Sequence, residues 1–373
     1  MERVVRHLGN EPFLCQLIDE IKKVPNRDPA EIRNLLVKEL KVLSSQRKFL
    51  GRPVLILTRR FDPEADLVTI KLLSKGIDCM RLNMEDIPKQ MLIKYIINQD
   101  TDSSTELEIN NETLDISEIS LAWLRHFDIT GLNFDMDEPA RTFSFQQWNE
   151  ALYMLLRTLN CKWINSPEAV SQANDRRKQL LAAKESGFEV PSTLITNDGE
   201  AAKKFYHSHN GNIVVKALHN HGVELDGKIY SMYTRSITNQ DLAMLTDLIY
   251  APCILQEKLR KESEMRVTVV GDQVFAATLN FRSNYKKFDD IHRCSSADIY
   301  LKAHNKLRPL IIEQCIQLIK SLGLRYGAID FVIDKSDQLV FLEVNPSGDW
   351  HWIEQETGLH ITTAVASLIE ELA

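Results

Sequence analysis

Two short apolar strands near the end of the chain carry acid and amide groups that a hydrophobic interior does not accept unpaired. They are Gly327-Ala328-Ile329-Asp330-Phe331-Val332-Ile333-Asp334 and Phe341-Leu342-Glu343-Val344-Asn345-Pro346. The polar stretch between them, Asp334-Lys335-Ser336-Asp337-Gln338, has the composition of a hairpin connection. Side chains alternate faces along a strand, so Glu343 and Asn345 share one face. Asp330 in the partner strand can face them across the pair. Two carboxylates and an amide oxygen crowded in apolar surroundings repel one another and are poorly solvated. One or two hard divalent cations resolve that conflict, and oxygen donors of this kind suit Mg²⁺ held jointly with phosphates. The plainer alternative is the polar, solvent-facing side of an edge hairpin.

A chain of 373 residues can bury two or three domain cores. Its 44% hydrophobic and 26% charged residues are the balance of a soluble globular protein, so no fibrous or disordered class is called for. The net charge of −7 excludes a general attraction to nucleic acid or to an anionic membrane. Met1 to Asn10 lack a basic segment followed by an apolar one, so no signal peptide is expected. No apolar run approaches the roughly 18 residues of a membrane span. Six cysteines (Cys15, Cys79, Cys161, Cys253, Cys294, Cys315) are scattered without a CxxC pair. Free thiols in a reducing cytoplasm are therefore expected.

Residues 1–50 are charged and helix-compatible, with Leu14, Leu17, Ile18 and Ile21 at helical spacing. A second stripe runs through Ile32, Leu35, Leu36, Leu40 and Leu43. A strand is predicted at Pro53 to Thr58, then a helix opened by Asp62-Pro63 and ended by Gly76, then a strand over Asp78 to Leu82. This β-α-β pattern points to a small parallel sheet. It carries no GxGxxG, so a dinucleotide site is not expected. Gln99 to Asp115 reads as a turn-rich or hairpin connection, and Ile119 to Arg125 as a strand. Helical spacing continues over Phe145 to Asn160, and one helix is predicted from Pro167 to Ser186, closed by Gly187. Strands are predicted at Thr193–Thr196, Ile213–Leu218 and Ile254–Leu259, and a hairpin about Gly271-Asp272. Leu310 to Leu322 form an amphipathic helix stopped by Gly323.

Lys216 lies in the apolar run Ile213-Val214-Val215-Lys216-Ala217, where an ammonium is costly to desolvate without an anion. It reads either as a phosphate ligand or as a lysine snorkelling from the strand end. The following His219 to Lys228, polar and with two glycines, could donate backbone N–H groups to a triphosphate. Its His-x-His pair, like His207 and His209, lacks a third clear metal ligand. Lys178, beside Arg176 and Arg177, reads on composition as part of a solvated helical face. Gln256-Glu257-Lys258-Leu259 ends a strand and begins a connection. Arg266 could bind a phosphate or carboxylate bidentately, or pair with Glu264 or Glu257 at the sheet surface. No GxSxG and no serine or cysteine triad is present.

The order of these features resembles an α/β (α+β) ATP-grasp ligase: Lys178, Lys216 with its glycine-containing loop, Gln256-Glu257, then Asp330 with Glu343-x-Asn345. Within that superfamily the chain is most similar to the graspetide synthetases, the microviridin-type ligases that cross-link ribosomal peptides. The narrower likeness rests on Leu55 to Thr58 with Phe61-Asp62, Trp123-Leu124-Arg125, Val190 to Asn197, Gln256-Glu257-Lys258, Glu264 to Gly271 and Phe341 to Trp350. The resemblance runs from about residue 51 to the C-terminus. It implies a helical N-terminal extension over 1–50, a pre-ATP-grasp domain over 51–165, and ATP-grasp subdomains over 166–258 and 259–373. It places Lys178 and Lys216 on the phosphates of ATP, Gln256, Glu257 and Leu259 at the adenosine end, and Mg²⁺ on Asp330, Glu343 and Asn345. Arg266, Arg293 and Lys216 take the catalytic positions. The implied substrate is a ribosomal precursor peptide whose Asp or Glu side chain is activated as an acyl phosphate and joined to a Ser, Thr or Lys side chain. A cytoplasmic homodimer is implied by the same likeness.

The chain departs from the family pattern in three places. The usual Asp-Trp-Arg is matched only by Asp290-Ile291-His292-Arg293, Trp-x-Arg-Arg becomes Trp123-Leu124-Arg125-His126, and Gly-Gln-Trp becomes Gly348-Asp349-Trp350. These changes bear on substrate preference and leave the ATP and metal positions intact. Two other functions are compatible with the same residues: a RimK-like ligase adding free amino acids to a carboxylate, and a non-catalytic ATP-binding module.

Overall fold

The computed structural model describes residues 52–99, 104–109, 112–126, 134–218, 223–225, 228–230, 233–281, 299–304 and 306–373. Residues 1–50 and Arg293, and most of the glycine-containing loop after Lys216, lie outside them. The chain divides into two compact units. The first holds residues up to Pro167 together with Asp349–His351 and His360–Ala373, and the second holds Glu168–Gly348 and Trp352–Leu359.

The first unit is built on the predicted β-α-β pattern. Strand β1 (Val54–Thr58) leads into helix α1 (Pro63–Ser74), then β2 (Cys79–Asn83). Asp62 caps α1, its carboxylate accepting the Ala65 N–H at 3.0 Å, and Pro63 occupies the first helical position. The hairpin alternative for Gln99 to Asp115 holds in its described residues, which pair as two antiparallel strands. Strands β3 (Met91–Ile96), β4 (Ser104–Ile109) and β5 (Glu112–Asp115) form an antiparallel sheet that buries Met91, Leu107, Ile109 and Leu114. In β4 and β5 the apolar Leu107, Ile109 and Leu114 alternate sparsely among Glu106, Glu108, Glu112 and Asp115. Strands β6 (Leu121–Leu124) and β7 (Lys162–Ile164) complete a parallel sheet in the order β2-β1-β6-β7. Helix α2 (Glu138–Thr158) starts seven residues before its predicted Phe145. Its first half carries no buried side chain, so no apolar periodicity marked that start.

A buried charged cluster organises this unit. Arg125, one residue past β6, has 1% of its side chain exposed, and its Nε donates to Asp62 at 2.9 Å. Its Nη2 lies 3.6 Å from Glu64 and 2.7 Å from Asp349. His126 and Arg59 also reach Asp349, at 2.9 and 3.4 Å. Burial alone would push the Asp62 carboxyl up. The Arg125 charge and hydrogen bonds from Arg125, Thr58 and Ala65 overcome that and hold it far below the usual carboxylate range. Glu64 accepts the backbone N–H groups of Trp350 and His351, each at 2.9 Å. Trp350 is fully buried, with its ring 6.3 Å from Trp123 and 4.7 Å from the Arg125 guanidinium, and its Nε1–H donates to Thr362. The tryptophan of the Gly348-Asp349-Trp350 motif is thus a core residue. Helix α8 (Ile361–Leu372) closes the unit, packing against α1.

The second unit begins with a correction to the single helix predicted from Pro167 to Ser186. The segment is two helices, α3 (Pro167–Ala173) and α4 (Arg176–Glu185), broken at Asn174-Asp175. The Asp175 carboxylate accepts the Lys178 N–H at 3.0 Å, so it caps a new helix rather than continuing the old one. Gly187, at φ 87°, ends α4 as expected. Strands β8 (Thr193–Thr196), β9 (Ile213–Lys216), β12 (Arg235–Ser236) and β13 (Cys253–Glu257) form an antiparallel sheet ordered β12-β9-β13-β8. Helix α5 (Gly199–Ser208) covers it, and β10 (Val223–Leu225) pairs with β11 (Lys228–Tyr230) as a separate hairpin.

A second sheet takes the order β16-β15-β14-β17-β18. Its strands are β14 (Ser263–Val270), β15 (Gln273–Phe281), β16 (Ile299–Ala303), β17 (Tyr326–Ile333) and β18 (Leu339–Asn345). The predicted hairpins about Gly271 and between Asp330 and Glu343 are both present. Helices α4 and α6 (Pro309–Ser321) share its core, where Phe331, Phe341, Val267, Cys315 and Leu318 are fully buried. The short α7 (His351–Thr357) follows the motif after β18. At Gly348 an added Cβ would lie 2.5 Å from that of Ala328, so the chain passes there only without a side chain. Cys79, Cys161, Cys253 and Cys315 are free thiols. Among the described residues no helix is long and apolar enough to cross a membrane.

Candidate active site

All the predicted site residues that the structure describes belong to the second unit. The strand register places Asp330 of β17 opposite Glu343 of β18, and Arg266 of β14 opposite Asp330 from the other side. Directly paired residues present their side chains to one face, so Asp330 and Glu343 face each other as period-2 reasoning required, and Arg266 joins them from β14. A bulge between Asp330 and Phe331 shifts the β17–β18 register there. Asn345 lies two residues beyond Glu343, exposed, and its Oδ1 accepts the Ser347 N–H at 3.0 Å.

Arg266 grips Asp330 with two hydrogen bonds, from Nε and from Nη2 at 3.0 Å. This corrects the surface pairing with Glu264 or Glu257. Glu264 is taken by Lys261 at 2.8 Å, and Glu257 accepts the Ser192 N–H at 3.3 Å. The Arg266 guanidinium also lies 5.9 Å from the Trp352 ring. Burial pushes the Asp330 carboxyl up, the Arg266 charge draws it down, and Glu343 and Glu264 push it up again. The balance rests at about 6. Glu343 is paired with Arg176 of α4 at 2.7 Å. Each carboxylate therefore carries an arginine. Two carboxylates and an amide oxygen, with guanidinium groups as the cations beside them, form a donor set that fits a hard, oxygen-ligated ion such as Mg²⁺. No group of three His, Cys, Asp or Glu side chains suited to a metal occurs among the described residues, so the amide oxygen of Asn345 is needed to complete such a set.

Sequence reasoning missed the residue that fixes this edge. Gln179 has 1% exposure, and its amide bridges α4 to β18. Its Nε2 donates to the carbonyls of Val344 at 2.8 Å and Ala173 at 2.6 Å, while its Oε1 accepts the Val344 N–H at 3.0 Å. Val344 stands between Glu343 and Asn345, so one buried side chain holds the backbone between two candidate ligands. The signal was present: Gln179, Ala182 and Ala183 lie at helical spacing on the buried face of α4. Gln179→Leu leaves three buried backbone groups unpaired and is expected to cost about 2–4 kcal/mol. Denaturant unfolding measures that loss, and a midpoint equal to that of the wild type would contradict it.

The cationic end lies on the other sheet of the unit. Lys216, half-buried at the end of β9, donates to Gln256 Oε1 of β13 at 2.8 Å. Gln256 has 4% exposure and in turn donates to Thr193 Oγ1 at 3.0 Å. Three strands thus orient one amide, and the amide orients the ammonium. Leu259 is half-buried, two residues after β13 ends. Lys178 sits on the first turn of α4 with its Nζ donating to Gln172 at 2.7 Å. Lys216 and Gln256 are brought into contact. Asp330, Glu343 and Arg266 form a second group, with Arg176 added to it.

Residues 53–171 match the family model described as the MvdD pre-ATP grasp domain, and residues 173–369 match that of the RimK-like ATP-grasp domain. A probable alpha-L-glutamate ligase of Haemophilus influenzae is 26% identical over 56% of this chain, and a second from Hahella chejuensis is 27% identical over 64%. The matches span 66% of the first relative, just under two thirds of its length, and 76% of the second. Among solved structures, macrocyclase MdnC of Microcystis aeruginosa, bound with precursor peptide MdnA, is similar at 26% identity and a TM-score of 0.75. That likeness covers 86% of this chain and all of MdnC. A RiPP-associated ATP-grasp ligase of Chryseobacterium gregarium, in complex with ADP and a leader and core peptide, shares the fold at a TM-score of 0.76 and 24% identity. It covers 86% of this chain and 97% of its own. The family model for the ATP-grasp domain alone spans more than half of the sequence, and the pre-ATP-grasp model precedes it. The chain therefore belongs to the RimK-like ATP-grasp family of ATP-dependent ligases and carries an MvdD-type pre-ATP-grasp domain ahead of that fold.

Proposed function

We propose that the protein is a peptide-modifying ligase that activates Asp or Glu side chains of a ribosomal precursor peptide and joins them to Ser or Thr hydroxyls or Lys amines within it. The observation that carries this reading is the likeness to MdnC, which extends through both the pre-ATP-grasp and the ATP-grasp regions and over the whole of that chain.

A peptide carboxylate oxygen attacks the γ-phosphorus of ATP, and the bond to the β,γ-bridging oxygen breaks to release ADP. The hydroxyl or amine then attacks the acyl carbon, and the carbon–oxygen bond to phosphate breaks. The nucleophile's proton passes to the departing phosphate or to water. Asp330, Glu343 and Asn345 would hold Mg²⁺, which supplies charge neutralisation at the phosphoryl oxygens when bound. Lys216, held by Gln256, and Lys178 at the start of α4 would meet the phosphates. Arg266, whose Nε and Nη2 hold Asp330, would offer its remaining guanidinium N–H groups to the acyl phosphate. None of these steps needs a protein nucleophile, in keeping with a sequence that carries no triad.

Lys216→Ala removes a charge-assisted contact to the nucleotide and is expected to weaken ATP binding by roughly tenfold or more, from about 1.5–3 kcal/mol per such bond. Calorimetric titration of ATP with Mg²⁺ measures this, and an unchanged affinity would contradict the phosphate role. A second reading, suggested by the glutamate ligases among the relatives, adds free amino acids to a carboxylate. ADP release distinguishes the two: stimulation by a small acidic peptide encoded beside the gene supports peptide modification. Stimulation by free glutamate alone supports the second reading. The cytoplasmic homodimer implied by the family likeness belongs to this proposal as well.

A further inference from the structure

The first turn of α4 is Arg176-Arg177-Lys178, and that turn contains no acidic residue. A helix N-terminus already presents partial positive charge, so three cations there are at the unfavourable end. Anions must offset them. Asp175 supplies one at the cap, accepting the Lys178 N–H. The second is Glu343, whose Oε2 lies 2.7 Å from Arg176 Nη1, while the same Nη1 donates to Gln179 Oε1 at 3.3 Å. Arg176 is thus tied both to a candidate metal ligand and to the side chain that fixes the strand beside it.

The two arginine–carboxylate pairs of the site are unequal. Arg266 and Asp330 are joined by two hydrogen bonds, are 16% and 21% exposed, and have Trp352 beside them. Arg176 and Glu343 share one contact and are 31% and 41% exposed. An exposed, singly bonded ion pair is weak, so it is the one an incoming cation opens first.

We propose that Arg176 is a positioning residue for Glu343. It holds the carboxylate while the site is empty of metal, competes with the metal for it, and on exchange turns its guanidinium toward the anionic nucleotide. The exchange keeps the local charge in balance: Glu343 passes from one cation to another as the phosphates arrive. This rests on the ATP and Mg²⁺ reading above.

The test uses the full chain and Mn²⁺ in place of Mg²⁺, with binding read by water-proton relaxation. Without nucleotide, Arg176→Met is expected to bind Mn²⁺ about two- to fivefold more tightly, the range a surface ion pair supplies as a competitor. With Mn²⁺ present, the same variant is expected to bind a non-hydrolysable ATP analogue more weakly, and Arg176→Lys to fall between it and the wild type on both measures. A purely structural role would weaken both together. The substitution removes a cation from a helix N-terminus, so the melting temperature is expected to hold. Unchanged or weaker Mn²⁺ binding in Arg176→Met overturns the proposal. Glu343→Gln separates the two levels. If it weakens Mn²⁺ binding while Arg176→Met does not strengthen it, the metal reading stands and the role of Arg176 falls. If Glu343→Gln binds Mn²⁺ as the wild type does, both fall.

Discussion

Glu343→Gln is expected to reduce product formation by about 10²–10³-fold, the loss of roughly 3–4 kcal/mol typical when one group stabilising transition-state charge is removed. The glutamine keeps the shape and the hydrogen-bonding reach of the side chain, so the change is one of charge. Glu343 is 41% exposed and lies on edge strand β18, whose backbone is held by Gln179 and by β17 rather than by the carboxylate. The fold is therefore expected to survive, with a melting temperature near that of the wild type. In the wild type the Glu343 and Asp330 carboxylates stand opposite each other, close enough for Glu343 to help raise the Asp330 carboxyl to about 6. Losing the Glu343 charge leaves Asp330 as the one carboxylate of the set. Turnover at matched Mg²⁺ with near-normal rates would remove Glu343 from the proposed ligands.

Arg125→Leu is expected to have the largest effect on stability. Asp62 and Glu64 are 0% and 2% exposed in their side chains, and both face the Arg125 guanidinium. Without it two carboxylates remain buried, an uncompensated arrangement that costs about 3–5 kcal/mol. Chemical denaturation measures the loss, and a change below about 1 kcal/mol would show the cluster to be incidental. Asp62 also sets a direction for pH. Its folded pKa is depressed, so its contribution is fully present above the unfolded carboxylate range and is lost as pH falls toward the folded value. The wild-type protein should therefore lose stability through the acid range below about pH 4, where an unfolded aspartate takes up its proton. Arg125→Leu should flatten or reverse that acid dependence, because the cation that depresses Asp62 is gone.

The placement of the candidate ligands was legible where two-residue periodicity governs. Asp330, Glu343 and Asn345 lie on strands whose alternation fixes their common face, and the polar turn between them fixes the hairpin. Pairing between strands distant in sequence was not legible. Nothing in the neighbourhood of Arg266 announces that β14 lies beside β17, with Asp330 64 residues on, so a phosphate or carboxylate ligand and a pair with Glu264 or Glu257 stood as alternatives. The break at Asn174-Asp175 was missed for a different reason. Apolar spacing runs on through it, and only the capping tendency of Asp marked the restart that brings Arg176 and Gln179 to β18. Helix α8 shows the reverse case, since Ile361, Val365, Leu368 and Ile369 carry a helical pattern that went unread.

The most direct measurement of the central claim is the intact mass of a small acidic peptide encoded beside the gene, after incubation with the protein, ATP and Mg²⁺. Intramolecular cross-linking predicts the loss of one water for each bond formed, with one ADP released per bond. A product heavier by whole amino-acid residues, or ATP consumption at background with every such peptide, would contradict it.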